Sequence, residues 1–505
     1  MLLRRNILAS YVSQIYVTLI GIVLLPLYIQ HMGAETYGLV GFFAMLQVWF
    51  NLLDLGLTPT VARETARHQG GALSAIDFRR LVHALESVFA AIGLVGGLVL
   101  LLAAEYIASH WLRVDVLPKQ EVIHAVQLMA CIIVLRWIGG LYRSIINGAQ
   151  HLAWLSAFNI IAATARFAGV IPLLIYVGAT PTLFFAFQLC IAICEFAILV
   201  LYCYRLMPAI DSSSYSRWTL APLKPILKFS MGIAFTSIVW ALVTQTDKLV
   251  LSRLLPLAEY GYFSLAVLIA SGIMLLSAPV SAAIMPRMAK LDAEGDQQGL
   301  IRVYRRATQL VSVLAGSAAV TLAFCAEPLL WAWTGDKVIA AQAAPILTLY
   351  ALGNGVLAVA AFPFYLQYAK GDLRLHLIGN AVFVVLLLPI IIWAASHYGA
   401  IGAGYAWLGM NLLSLIAWLP LVHRKYQPGL NRQWYGQDIL IIFFGSTASA
   451  LLLHLVWPET ENRWFQLIQI LVTGAVSTFS GGIFSTATRG YAAHLWQRWR
   501  KGSLS

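Results

Sequence analysis

Charged residues are scarce in this chain of 505 residues. Asp, Glu, Lys and Arg make up only 11% of it, whereas 60% is hydrophobic and the mean hydropathy is +0.79. A water-soluble domain carries about 25% charged residues. The composition therefore excludes an ordinary soluble protein and predicts an all-α integral membrane protein.

Cysteine and long polar segments are also rare. The five cysteines fall in apolar runs without the paired spacing of a zinc site, so we expect neither a metal nor a disulfide. Cys190 and Cys194 share a helix face and are expected to be buried. There is no GxxxxGK[ST] motif, which argues against ATP hydrolysis by the chain itself. No connecting segment exceeds roughly 25 residues, which leaves no room for a soluble catalytic domain.

Long apolar stretches fill the rest of the chain. A membrane-spanning helix needs about 20 mostly apolar residues, and breaks at Gly, Pro and charge clusters divide the sequence into fourteen such segments. The predicted spans are 7–30, 37–58, 82–111, 122–146, 154–178, 183–204, 228–254, 258–284, 307–333, 344–368, 374–397, 402–422, 438–457 and 465–486.

The distribution of basic residues between the two sides indicates the orientation of these spans. Of the 33 Lys and Arg residues, 25 fall in or next to the loops on the side of the N-terminus, 6 on the opposite side and 2 in mid-helix. Because cytoplasmic loops are enriched in Lys and Arg, both termini are expected in the cytoplasm. The formal charge of +12 is spread over these loops and forms no folded basic patch, so no nucleic-acid partner is expected.

The two halves of the chain repeat each other. The motif AETYG at 34–38 returns as AEYG at 258–261, and Asn159 returns at nearly the same offset as Asn380. Six spans per repeat keep both copies in the same orientation, as in transporters built from parallel repeats. The predicted parts are an N-terminal lobe at 1–205, a cytoplasmic linker at 206–227, a C-terminal lobe at 228–423, and two further helices with a tail at 424–505.

Several stretches resemble one transporter family. LLPLYIQHMGAETYGLVGFF, LLDLGLTPTVAR, TDKLVLSRLLPLAEYGYFSLA and SAAIMPRMAKL, in this order and spacing, are similar to the polysaccharide-transporter branch of the MOP flippase superfamily, which contains the Wzx-type O-antigen flippases. Twelve helices are usual in that family, so the pair at 438–486 is a departure from its pattern.

The resemblance implies a substrate and a location. Members move undecaprenyl-diphosphate-linked oligosaccharides from the cytoplasmic to the periplasmic leaflet of the bacterial inner membrane by alternating access. It also implies contact with membrane lipids and, as partners, a polysaccharide polymerase and a chain-length regulator. No cofactor is expected, and coupling to H⁺ or Na⁺ is left open.

Ionisable residues inside spans are functional candidates, because each costs about 2.5–3.5 kcal/mol on insertion scales. The proposed cationic path for the diphosphate comprises Arg143, Arg136, Arg166 and Lys248. Guanidinium groups bind phosphate oxygens in pairs of hydrogen bonds. The alternatives are that Arg143 extends to the membrane interface, and that Arg136 and Arg166 pair structurally with an acidic residue such as Glu195.

Three acidic residues are candidates for ion coupling, and three polar residues for a cavity wall. The acidic residues are Glu195, Asp247 and Asp54. The alternative role for Glu195 is a structural ion pair. Asp247 could instead pair with a cation on a neighbouring helix, and Asp54 could instead hold a structural turn with Arg63. Thr244 and Ser252 share a polar stripe with Lys248, with Gln245 beside them, and are the cavity-lining candidates.

Other functions remain open at this point. A lipid II flippase or a MATE-like drug exporter belongs to the same superfamily. A membrane-embedded polymerase or ligase is a different class, but such an enzyme needs a large periplasmic loop and the outer loops here are short.

Overall fold

The computed structural model describes residues 2–207, 223–458 and 460–489, and these residues form helices with no β-strand among them. Apolar runs of about 20 residues or more favour helices here, because a helix satisfies its own backbone hydrogen bonds. The first nine are α1 (Leu2–Val23), α2 (Leu25–Asn51), α3 (Leu57–Gln69), α4 (Ala75–Tyr106), α5 (Lys119–Gly148), α6 (Leu152–Phe167), α7 (Val170–Tyr176), α8 (Pro181–Leu206) and α9 (Lys224–Leu254).

The second half continues in the same way. Its helices are α10 (Leu257–Ala293), α11 (Gln297–Val311), α12 (Ser317–Phe324), α13 (Ala326–Thr334), α14 (Lys337–Ala360), α15 (Phe362–Ala369), α16 (Arg374–Leu413), α17 (Leu419–Tyr426), α18 (Leu430–Gln433), α19 (Ile441–Val456) and α20 (Arg463–Phe484). Short π-helical turns join α11 to α12, α16 to α17 and α18 to α19.

Two glycines decide how many times the chain crosses the membrane. Among the described residues, eleven helical stretches are long and apolar enough to span. One of them, Arg374–Tyr426, leaves helical geometry at Gly399 (φ 59°) and therefore holds two spans. A similar break at Gly33 (φ 81°) lets α1 and the first turns of α2 form a span of their own. With α9, a further helix of 31 residues, the described helices are compatible with the fourteen predicted spans.

The chain divides into two compact units, Met1–Gly261 and Tyr262–Ser505. In the first, α5 packs on α4 and α8, and α1 packs on α6; in the second, α14 packs on α13 and α16. These packing units are a different division from the lobes at 1–205 and 228–423, which the repeat defines and which stay a prediction. Most of the predicted linker, 208–222, and the end of the tail from 490 lie outside the described residues.

The additional helices α19 and α20 are part of the second unit. They pack on each other and on α12 and α13. The Ser317 and Ser446 hydroxyls lie 2.9 Å apart, and both donate to the Ser477 carbonyl. At one end, Arg305 Nε donates to the fully buried Asp438 carboxylate at 2.7 Å. Hydrogen bonds of this kind fix helices to each other inside a membrane, where the hydrophobic effect between helices is weak.

The repeated glycine motif has a packing role. A Cβ atom on Gly38 would collide with the carbonyl of Leu257, and one on Gly261 would come within 2.7 Å of the Ala34 carbonyl. The two contacts are reciprocal, since the offset along the chain from Ala34 to Leu257 equals the offset from Gly38 to Gly261. Glycine is therefore required at both positions for close approach of the two segments.

One expectation about cysteine is wrong. Cys190 and Cys194 were expected to be buried, but both are exposed on α8. The apolar face of a spanning helix turns outward as readily as inward, because lipid is the solvent there.

Candidate functional site

Six polar side chains meet on three helices of the first unit. We call them the arginine cluster: Arg136 and Arg143 on α5, Asn159 and Arg166 on α6, and Gln188 and Glu195 on α8. On each helix the two residues are seven positions apart, which places them on one face and about 10.5 Å apart along the axis. The three faces converge because α8 packs closely on α5 and both contact α6.

Arg136 is held in the cluster by a glutamine and an aromatic ring. Its Nη2 donates to Gln188 Oε1 at 3.1 Å, and Gln188 Nε2 donates in turn to the Arg166 carbonyl at 3.0 Å. The guanidinium lies 5.5 Å from the centre of the Phe43 ring. Its Nε is buried and finds no acceptor among the described residues. A buried charged donor without an acceptor is unfavourable, so this nitrogen is available to an anion.

Glu195 joins the other two arginines. Arg143 Nη2 donates to Glu195 Oε2 at 3.3 Å, and Arg143 Nη1 makes a short bond to Asn159 Oδ1. Arg166 Nε lies 3.1 Å from Glu195 Oε1, but its N–H is directed at the Ala162 carbonyl, 3.3 Å away. The second contact is therefore an ion pair without hydrogen-bond geometry, and Glu195 Oε1 is buried without a donor among the described residues.

The cluster carries more positive than negative charge. It contains three guanidinium groups, which stay protonated in proteins, and one carboxylate. Arg136, Arg166 and Glu195 lie in the middle turns of stretches that are long enough to span a membrane, whereas Arg143 lies five residues before the end of α5. Excess charge at this depth is costly unless an anion or water compensates it. The arrangement can therefore hold an anion with oxygens placed to accept from several guanidinium groups.

A cavity gives access to the cluster. It encloses about 320 Å³ between α1 and α6, and we call it the α1–α6 cavity. Its wall combines apolar side chains with polar ones, and the polar ones include Ser13, Gln14, Ser156, Asn159 and Arg166. Two members of the arginine cluster thus face an open space, and a ligand that enters from this cavity reaches them directly.

The comparisons with known proteins identify the family of this chain. The family described as "Polysaccharide biosynthesis protein" matches residues 3–292, more than half of the chain. This chain belongs to that family. It is also 19% identical over 413 residues to the "Putative O-antigen transporter" of Shigella flexneri, an alignment that covers 80% of this chain and 94% of that protein.

Solved structures show the fold of this polysaccharide biosynthesis protein. The lipid II flippase MurJ in an inward closed conformation has a TM-score of 0.70 at 16% identity and covers 95% of this chain and 98% of that one. An inward-facing MATE family multidrug resistance transporter has a TM-score of 0.67 at 14% identity, with 81% and 94% covered. The fold is that of MOP-superfamily transporters, and the protein crosses the membrane many times.

The extent of the two matches bears on α19 and α20. The match with MurJ covers 95% of this chain, so the part outside it is shorter than α19, with 16 residues, and α20, with 22 residues, taken together. At least part of the additional pair therefore has an equivalent in that structure. The lower coverage of the MATE transporter leaves room for both helices to lie outside the match.

The structure places Lys248 on α9, apart from the helices that carry the arginine cluster. Its Nζ donates to the Thr244 carbonyl at 2.7 Å and lies 4.0 Å from Asp247 Oδ1. Asp247 is buried, and the positive charge of Lys248 compensates part of the negative charge of its carboxylate. Thr244 and Gln245 are half-buried, and their place in a cavity wall stays a prediction. Ser252 is buried and accepts from Trp111 Nε1 at 3.0 Å, which is a packing contact.

Asp54 stabilises a turn. Its carboxylate accepts from the backbone N–H of Thr58 at 3.0 Å and from the Thr58 hydroxyl. The intervening Leu55 and Gly56 adopt left-handed backbone angles, which end one helix before α3 begins. This arrangement fits the structural turn that was the predicted alternative for Asp54. The hydrogen bonds are with Thr58, whereas the predicted partner in the turn was Arg63.

Gln188 is a member of the cluster that the sequence did not single out. It joins Arg136 to Arg166, yet a single glutamine in an apolar run carries little signal. A usable signal does exist, because Gln188 precedes Glu195 by seven residues, as Arg136 precedes Arg143 and Asn159 precedes Arg166. Three successive spans with polar residues at this one spacing predict a shared polar core.

Proposed function

We propose that this protein is a flippase that moves an undecaprenyl-diphosphate-linked oligosaccharide from the cytoplasmic to the periplasmic leaflet of the bacterial inner membrane. Both termini then face the cytoplasm. The observation that carries the proposal is the arginine cluster, with three cations and one carboxylate inside membrane-spanning stretches, in a protein of the polysaccharide biosynthesis family.

The diphosphate is the part of such a substrate that hydrocarbon opposes most. Arg136 offers an unsatisfied Nε, and Arg166 faces the α1–α6 cavity. Each hydrogen bond to a charged group contributes about 1.5–3 kcal/mol. Two arginines can therefore compensate the transfer of a diphosphate from the membrane surface to mid-depth, and the lipid tail stays in the bilayer throughout.

Glu195 can supply a coupling step. In the absence of substrate it neutralises part of the charge of Arg143 and Arg166. A bound diphosphate competes for the same guanidinium groups, which leaves Glu195 as a buried carboxylate that gains from taking up a proton or a Na⁺ ion. Release of that ion on one side then restores the ion pairs. Asp247 and Asp54 are weaker candidates for the same role, because one lies beside Lys248 and the other holds a turn.

Deletion of the gene tests the function. Undecaprenyl-linked repeat units should accumulate in the cytoplasmic leaflet, and surface polysaccharide should disappear. Export of repeat units that is undiminished in the deletion strain would contradict the proposal. A polysaccharide polymerase and a chain-length regulator are the proposed partners that receive the exported units.

A second candidate rests on the match to MurJ, which extends into α19 and α20. Transport of lipid II by this chain is the corresponding function. Complementation of a lipid II flippase deletion favours this candidate, whereas rescue of surface polysaccharide alone favours the first.

A further inference from the structure

The α1–α6 cavity contains polar groups that the protein itself does not use. Ser13 and Ser156 are 4% and 5% exposed, yet neither hydroxyl forms a hydrogen bond with any described residue, and the same holds for the exposed amide of Gln14. Hydroxyls in helices ordinarily donate to the carbonyl four residues earlier, as Thr18 and Thr164 do here. Neither oxygen is among the fully buried side-chain atoms of the described residues that lack a partner, so both hydroxyls open on the cavity, where a ligand or water can satisfy them.

The size of the cavity limits that partner. At about 320 Å³ it lies at the lower end of small-molecule sites, which span about 300–1,000 Å³. It would hold about ten water molecules at about 30 Å³ each, or one to two sugar rings. The residues that line it include hydroxyls and amides but no carboxylate, so they suit a neutral ring that presents hydroxyl groups.

The position of the cavity relates this ring to the diphosphate. Arg166 forms one end of the cavity, and Asn159, which also lines it, accepts from Arg143. Ser156 lies ten residues before Arg166 on α6, about 15 Å along the helix axis. A diphosphate bound at the arginine cluster, together with one sugar attached to it, has a length comparable with this distance between Ser156 and Arg166.

We propose that the α1–α6 cavity binds the sugar ring attached directly to the diphosphate, and that Ser13, Gln14 and Ser156 select which ring is accepted. The proposal rests on the proposed function, because it needs a diphosphate at the arginine cluster. It adds a location for sugar specificity within the first unit, on α1 and α6, separate from the groups that hold the charge.

Binding of short synthetic lipids to the purified full-length protein tests this site. The probes are farnesyl diphosphate and the same lipid bearing one N-acetylglucosamine, N-acetylgalactosamine, galactose or glucose. We expect at least one sugar-bearing probe to bind about tenfold more tightly than farnesyl diphosphate, since several hydrogen bonds are gained. The double variant Ser13→Ala/Ser156→Ala should lose most of this preference and bind farnesyl diphosphate unchanged.

Two further variants keep the test decisive. Gln14→Met preserves side-chain length and should lower the preference for the sugar-bearing probe about two- to tenfold, even if the double variant fails to fold. Ser271→Ala/Ser449→Ala is the matched control, because both hydroxyls donate to carbonyls of their own helices. It should leave the preference intact.

The outcomes separate this inference from the proposed function. Tight binding of farnesyl diphosphate with no gain from any of the four sugars overturns the sugar site and leaves the flippase proposal standing. A preference that survives both Ser13→Ala/Ser156→Ala and Gln14→Met also overturns it. Failure of every probe to bind, including farnesyl diphosphate, contradicts the proposed function and the sugar site with it.

Discussion

The offset that relates Asn159 to Asn380 allows the arginine cluster to be compared with the second repeat. Only the asparagine is retained there. At the same offset, Arg136, Arg143, Arg166, Gln188 and Glu195 correspond to Leu357, Phe364, Leu387, Gly409 and Ile416. Every charged position of the cluster is therefore apolar in the second repeat.

This difference shows that the helical scaffold does not need the charges. Leu387, at the position of Arg166, is 1% exposed and packs without a polar partner. Placing an arginine at such a depth costs about 2.5–3.5 kcal/mol on insertion scales. The first repeat bears this cost at Arg136 and Arg166, which is consistent with a binding role for the cluster and not with a requirement of the fold.

Ion pairs of the second unit lie elsewhere. Lys425 Nζ is 2.7 Å from Asp372, and Lys337 Nζ is 2.9 Å from Glu461. These groups are at helix ends and are largely exposed, so each pair contributes little to stability. The second unit also holds the buried pair of Arg305 and Asp438, which fixes the helices that precede α12 and α19. The buried cluster of the first unit and the two exposed pairs of the second make opposite predictions for substitution.

The largest effect is expected when the first repeat is given the residues of the second. Arg136→Leu and Arg166→Leu should each reduce export by about 10- to 100-fold, since each removes hydrogen bonds to a charged group. Surface polysaccharide is measured alongside protein level in the membrane. Arg302→Leu, at an exposed arginine of the second unit, is the control and should export normally. Normal export by both cluster variants at normal protein level contradicts a role for the cluster.

The reverse exchange should destabilise the second unit. Leu387→Arg places a cation in a fully packed site without the acceptors that surround Arg166. We expect a loss of about 3 kcal/mol in stability, seen as a clearly lower Tm of the detergent-solubilised protein. Leu387→Met, which conserves volume, should change the Tm little. An equally stable Leu387→Arg protein would mean that this position is open to solvent.

Removal of the single carboxylate should strengthen anion binding. Glu195→Gln keeps the shape of the side chain but leaves three guanidinium groups without compensation, so pyrophosphate should bind about fivefold more tightly or better. Transport should nevertheless slow, because Glu195 no longer competes for the arginines on release. Gln188→Met is a useful comparison, since it removes a neutral partner of Arg136 and should not tighten binding. Weaker pyrophosphate binding by Glu195→Gln would count against direct competition.

The smallest effect is expected at the exposed pair of the second unit. Hydrogen bonds from Lys425 lower the pKa of Asp372 to about 2, below its ordinary 3.8. A lowered pKa in the folded state adds stability at pH values above about 4, and that stability is lost as the pH falls toward 2. Asp372→Asn should therefore leave the Tm nearly unchanged at pH 7, because the pair is solvent-exposed, and remove a slight pH dependence between 4 and 2. A large drop in Tm at pH 7 would show that the pair is not screened.

The sequence was sufficient for much of the fold and for the charged part of the site. Fourteen apolar segments and an internal repeat follow from hydropathy and spacing, and Arg136, Arg143 and Arg166 are conspicuous because charge is rare in spans. Pairing with Glu195 was the alternative for Arg136 and Arg166, and the structure shows it for Arg166 and for Arg143, whose predicted alternative was the membrane interface. Only the rotation of α5, α6 and α8 about their axes decides which arginine meets the carboxylate.

Other features depend on neighbours that a sequence does not place. Gln188 gains its importance from lying between two arginines, and Ser252 receives a hydrogen bond from Trp111, which lies 141 residues earlier in the chain. Glu35, in the repeated motif, accepts from the backbone N–H groups of Asp115 and Leu117, far along the chain. No periodicity in the sequence predicts a contact with a distant loop.

Calorimetric titration of the purified protein with farnesyl diphosphate tests the central claim most directly. If the arginine cluster holds the diphosphate, the unsubstituted protein binds this lipid, Arg136→Leu binds it at least about tenfold more weakly, and Arg302→Leu binds it unchanged. Equal affinity of Arg136→Leu and the unsubstituted protein would show that the diphosphate is held elsewhere, and the account given for the first repeat would be wrong.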